Sequence, residues 1–135
     1  MAFTACITNQ AKQDFLNGVH AAADTYKLAL YTSGTYDKTT TAYSATGECS
    51  NSGTGYTTGG ITLTGQNVTM NGDTAVLDFD DAVIATATLA NVIGAILYNS
   101  SKSNKAIAVI SFAATSSTNA EFRVAIPSGV VTFGS

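Results

Sequence analysis

The sequence predicts a mainly β fold: an antiparallel β-sandwich, jelly-roll or Ig-like, of seven or eight strands with one short N-terminal helix. Three observations predict it. Apolar residues recur with a period of two in several short runs, polar turn residues separate those runs, and helical spacing is confined to the stretch before Val19. A chain of 135 residues suits one domain, 1–135, divided into an N-terminal arm and helix (1–22), a long loop excursion (32–60) and the strands.

The helix is expected over Gln10 to Asn17. Asn9 stands ready to cap it, Ala11, Phe15, Leu16 and Val19 recur at helical spacing, and Gly18 offers a stop. Tyr26 to Tyr31 alternates, with Tyr26, Leu28 and Leu30 on one face, as a half-buried strand should. From Thr32 to Gly60 the chain is Thr, Ser, Gly, Asn and Tyr with hardly an aliphatic residue, so it reads as one long loop. Loops of that length are usually functional or ordered by a partner. Tyr36, Tyr43 and Tyr56 are therefore candidate contact residues; equally, their rings would cap the end of the sandwich and leave the hydroxyls wet.

Strand order resumes at Ile61 to Thr64. Val68 and Met70 lead into Asn71-Gly72, a pair suited to a type I′ hairpin turn, and Ala75, Leu77 and Phe79 continue beyond it, with Val76, Asp78 and Asp80 on the opposite, wet face. Val92–Tyr98 and Lys105–Phe112 form a second hairpin around the polar linker Asn99 to Asn104, and their nearly all-apolar arms call for cover on both faces. A last pair of strands, Phe122–Ile126 and Val130–Phe133, flanks Pro127-Ser128-Gly129. There is no self-similarity at the roughly 20 to 50-residue periods of solenoids and propellers.

Composition narrows the function. Charged residues are 11 % of the chain, against roughly 25 % in an average domain, while Thr (21) and Ser (12) are abundant. Apolar residues at 45 % argue against a disordered chain, and a net charge of -3 argues against nucleic acid as a partner. The apolar tract Val92–Tyr98 is far shorter than the roughly 20 residues that span a bilayer, and the N-terminus lacks the basic start of a secretory signal, so no membrane partner is expected.

Reactive chemistry is sparse. His20 stands without a G-x-S-x-G or comparable context and reads as a structural hydrogen-bonder. Cys6 and Cys49 lie 43 positions apart without zinc-ligand spacing and read as two free thiols, a disulfide being the alternative outside the cytosol. Asp73, Asp78, Asp80 and Asp81 offer the oxygen ligands that calcium prefers. They lack the D-x-D-x-D-G pattern and a closing Glu, and acids on a strand's wet face also guard against edge pairing. The Gly-rich run Gly53 to Gly60 has no Lys and leads into no helix, so it reads as loop rather than phosphate cradle. No catalytic residue, cofactor or metal is expected.

Certain stretches carry a family likeness. Phe15-Leu16-Asn17-Gly18-Val19-His20, Asp24 to Thr32, Thr40-Thr41-Ala42-Tyr43 with Gly47-Glu48, Gly53 to Gly60, and Leu97 to Ala106 together resemble a family of small virion structural proteins of tailed bacteriophages, over about Phe15 to Phe112. The resemblance implies a non-enzymatic, copy-rich virion component made in the host cytoplasm. The expected role is a capsid decoration or cement protein that binds the outside of the major capsid protein shell, with other virion proteins as further partners and a homo-oligomer on the particle.

Such a protein needs broad contact area rather than a pocket, and short Thr and Ser side chains lose little rotamer entropy on docking. Phe3 and Ile7 are the expected arm contacts to a neighbouring subunit, and Phe15 and Leu16 are expected to cover the chain's own sandwich. The alternatives are a tail or neck fibre-attachment protein touching its partner through the tyrosine loop, and a carbohydrate-binding sandwich using the acidic patch. The absence of Trp weighs against the last.

Overall fold

The computed structural model describes residues 2–3, 6–21, 23–124 and 131–133. Along the chain it contains β1 (Ala2–Phe3), β2 (Cys6–Ile7), α1 (Asn9–Leu16), β3 (Tyr26–Tyr31), β4 (Thr35–Tyr36), β5 (Ile61–Thr62), β6 (Asn67–Asn71), β7 (Thr74–Asp78), β8 (Ala82–Asn99), β9 (Lys105–Val124) and β10 (Val131–Phe133). The protein is mainly β with one short helix. A five-stranded antiparallel sheet runs β2-β9-β8-β3-β5, a three-stranded antiparallel sheet runs β10-β7-β6, and β1 pairs with β4 in parallel. Ten strands appear where seven or eight were expected, because β1, β2 and β4, of two residues each, are too short to register as a period, while the strand expected from Phe122 is the end of β9.

Helix α1 is capped by Thr8 rather than Asn9. Thr8 is extended (φ -69°, ψ 154°), and its hydroxyl accepts from Ala11 N–H at 3.0 Å while donating to the Ala106 carbonyl at 3.1 Å, so one side chain both starts the helix and ties it to β9. Ala11 and Asp14 face inward. Leu16 lies roughly 140° around the helix from Ala11 at about 100° per residue, and it is 87 % exposed, so it does not cover the chain's own core as expected. Phe15 is half-buried against the core.

Strand β3 is buried on both faces, not one. Tyr26, Leu28 and Leu30 join the main core, whereas Ala29 and Tyr31 join a second core with Tyr36, Ile96, Tyr98, Ala106 and Val109. The long loop makes this second core: Tyr36 packs on Tyr31 with ring centroids 4.9 Å apart, and Tyr43 stacks on Tyr98 at 4.8 Å. A segment almost without aliphatic residues thus contributes core through aromatic rings. It also closes its backbone onto the sheet, since Cys49 N–H reaches the Leu30 carbonyl at 2.9 Å and Thr32 N–H the Gly47 carbonyl at 2.9 Å.

The second hairpin is far longer than expected. Its arms continue outward to Ala82 and Val124, and Phe122–Val124, expected to pair with the C-terminal strand, instead pair with Ala82–Ile84. Register shifts between Ile84 and Gly94, with Asn91 and Asn119 in the left-handed region (φ 55° and 50°), break the alternation that would have revealed these outer halves. Ala87, Leu89, Phe122 and Val124 enter the main core with Leu77 of the three-stranded sheet and Phe79 just after it. Val131–Phe133 pairs with β7, and the intervening Pro127-Ser128-Gly129 turn lies outside the described residues. The β6–β7 turn centres on Gly72-Asp73, one residue later than expected, because Asn71 is still paired with Thr74 and Gly72 (φ 64°) takes the first central position.

Candidate interaction surface

The polar groups singled out in the sequence are largely engaged inside the chain. Glu48, the only charged residue between Lys38 and Asp73, is the hub of the loop. It accepts the Tyr43 hydroxyl at 2.5 Å, the Tyr56 hydroxyl at 2.5 Å and the Gly59 N–H at 2.8 Å. The Tyr56 oxygen in turn accepts from Leu30 N–H at 3.1 Å, a donor that no neighbouring strand pairs with among the described residues. Tyr36 donates to the Thr46 carbonyl at 2.5 Å, Tyr31 to Ser44 at 2.5 Å, Tyr26 to Ala21 at 2.7 Å, and Tyr98 to Gly59. All six tyrosines of the sequence therefore donate within the chain. Burial pushes the Tyr26 and Tyr98 hydroxyls up to about 12, and burial beside Glu48 raises Tyr56 further.

The expected contact residues thus divide. Tyr36 and Tyr56 are 8 % and 3 % exposed and lie in the two cores, and Tyr43 is half-buried against Tyr98. Ile7 is half-buried against the main core, in the strand that pairs with β9. Phe3 lies opposite Tyr36 in the β1–β4 pair, and its side chain lies outside the described residues. Glu48 carried a sequence signal as an isolated acid in a neutral segment, but only the fold shows three donors converging on it.

A second polar network joins α1 to the β8–β9 turn. Asn99 Oδ1 accepts from Ser101 N–H, which orients the amide nitrogen toward His20 Nδ1 (2.9 Å) and Asp24 Oδ2 (2.8 Å). His20 Nε2 faces Asp14 Oδ2 at 3.6 Å, and the imidazole is fully buried. Burial lowers its pKa, outweighing the opposing pull of Asp14 and Asp24. The ring has no solvent access, and it braces the structure where it sits.

The four acids do not converge. Asp73 is in the hairpin turn, Asp78 accepts from Phe79 N–H, Asp80 lies against Gly65, and Asp81 pairs with Arg123 at 3.4 Å. Among the described residues no three His, Cys, Asp or Glu side chains gather to hold a metal ion, and no helix is long and apolar enough to cross a membrane. Cys6 and Cys49 are unbridged; Cys49 is buried, and that burial raises its thiol to about 11.

The open surface is elsewhere. Beyond Val109, where β2 ends, β9 meets no further strand on its outer side among the described residues. This part of β9 lines a groove of about 480 Å³, with Ile110, Phe112, Ala113, Phe122 and Val124 among its walls. Its walls are continuous with the main core, and Arg123 sits at its rim between Glu121 and Asp81. Unpaired backbone groups beside an apolar trough can accept an extended segment: the strand supplies the hydrogen bonds and its side chains fill the trough. No family model matches this chain, and no curated protein or solved structure matches it.

Proposed function

We propose that this protein is a non-enzymatic structural component of a bacteriophage virion that decorates or cements the outside of the capsid shell, bound to the major capsid protein. The virion setting comes from the sequence resemblance. The observation that supports a contact role is the uncovered edge of β9 with its apolar groove, a feature suited to receiving a segment of a neighbour rather than a small substrate. Within this reading the two antiparallel sheets are the layers of a sandwich, with Leu77 of one and Leu28 and Leu97 of the other meeting in the main core.

The tail or neck alternative relied on the tyrosine loop as its contact, and those hydroxyls are engaged internally, so the shell is the preferred location. Copy number tests it. Quantitative mass spectrometry of purified particles should find this chain at hundreds of copies; a dozen or fewer would move it to the tail, and its absence from particles would refute the proposal.

A further inference from the structure

Strand β6 forms one edge of the three-stranded sheet and pairs only with β7 among the described residues. Its sequence, Asn67-Val68-Thr69-Met70-Asn71, has no charge and no proline, the two devices that most often protect an exposed edge. Val68 lies opposite Leu77 and Met70 opposite Ala75, so both occupy the sheet face that Leu77 turns into the core. Yet Val68 is 56 % and Met70 67 % exposed. The apolar inner face therefore runs past the core and ends in the open.

We infer that β6 pairs antiparallel with β6 of a second copy, about a twofold axis at Thr69. A second copy is favoured because the strand is complementary to itself. In that register Val68 meets Met70, Thr69 meets Thr69, and Asn67 meets Asn71, so no charge opposes another and the apolar pair falls on one face. The two three-stranded sheets become one of six strands.

The contact is small. Two five-residue strands with their flanking side chains fall at the low end of specific interfaces, below roughly 1,200 Å². The pairing is thus weak in dilute solution and strengthens where copies are crowded, as a homo-oligomer on a particle requires. It uses a different strand from the β9 groove, so its failure would leave the particle proposal standing.

The test uses the isolated full-length chain. Sedimentation equilibrium over roughly 10 μM to 1 mM should show the mean mass rising from 13.8 kDa toward twice that value. Met70→Lys, at an exposed site, should hold it at one chain mass while circular dichroism and Tm stay unchanged. Thr69→Cys should give a disulfide-linked dimer on mild oxidation, since facing Cα atoms in antiparallel pairs lie about 4.5 to 5.5 Å apart, within disulfide reach. Ser116→Cys, on exposed β9, should not. A constant monomer mass at all concentrations, or equal cross-linking at positions 69 and 116, would overturn the inference.

Discussion

Replacing Tyr56 with Phe isolates the bond that fastens the long loop to β3. The ring stays, so packing in the main core is kept, and only the hydroxyl goes. That hydroxyl accepts from Leu30 N–H at 3.1 Å and donates to Glu48 at 2.5 Å. Leu30 is wholly buried, so its N–H is left without an acceptor, at a cost of about 1–3 kcal/mol. The lost bond to a carboxylate adds about 1 kcal/mol, a low value because Tyr43 and Gly59 still donate to Glu48. The sum is about 2–4 kcal/mol, which for a domain of this size corresponds to a fall in Tm of roughly 7–14 °C. Scanning calorimetry and urea titration would measure it. A double-mutant cycle with Glu48→Gln should show Tyr56→Phe costing roughly 1 kcal/mol less once Glu48 has been replaced, because the two side chains share one bond. A loss below about 0.5 kcal/mol for Tyr56→Phe, or strict additivity in the cycle, would refute the role given to Tyr56.

Three further outcomes follow from the same geometry. Because burial lowers the His20 pKa, the unfolded chain takes up a proton first as pH falls; stability should hold above about 6.5 and drop as the pH falls below that in thermal melts, and His20→Gln should flatten that drop. Gly60→Ala should lose more than about 3 kcal/mol or fail to accumulate as soluble protein, since Gly60 has φ 99° and an added Cβ would lie 2.2 Å from the Leu28 carbonyl oxygen. Chymotrypsin should leave the free protein uncut at Tyr36 and Tyr56 under native conditions, judged by mass spectrometry of the digest; rapid cleavage there without a partner would contradict the internally satisfied loop.

The helix, β3, the β6–β7 hairpin and the inner arms of β8 and β9 were legible in the sequence because each is a local pattern: a 3.6 or 2-residue period bounded by Gly, Asn or Ser. The outer halves of β8 and β9 were not, because register shifts and the left-handed Asn91 and Asn119 interrupt the alternation that marks a strand. The C-terminal pairing was misassigned for a related reason. Phe122–Val124 and Val131–Phe133 are close in sequence, yet each found a partner tens of residues away, in β8 and β7.

The tyrosines show the division most clearly. Composition by itself determined a mainly β chain of low charge, rich in small hydroxyls, with an isolated acid at Glu48 and hardly any aliphatic side chains between Thr32 and Gly60. Whether Tyr36, Tyr43 and Tyr56 face a partner or the chain's own core depended on what the other face of β3 required for cover, and on where an unpaired Leu30 N–H would find an acceptor. Those demands arise between segments distant in sequence, and burial and hydrogen-bond satisfaction act on proximity in space. Only the tertiary structure turned the loop inward and left the edges of β6 and β9 without a further paired strand among the described residues.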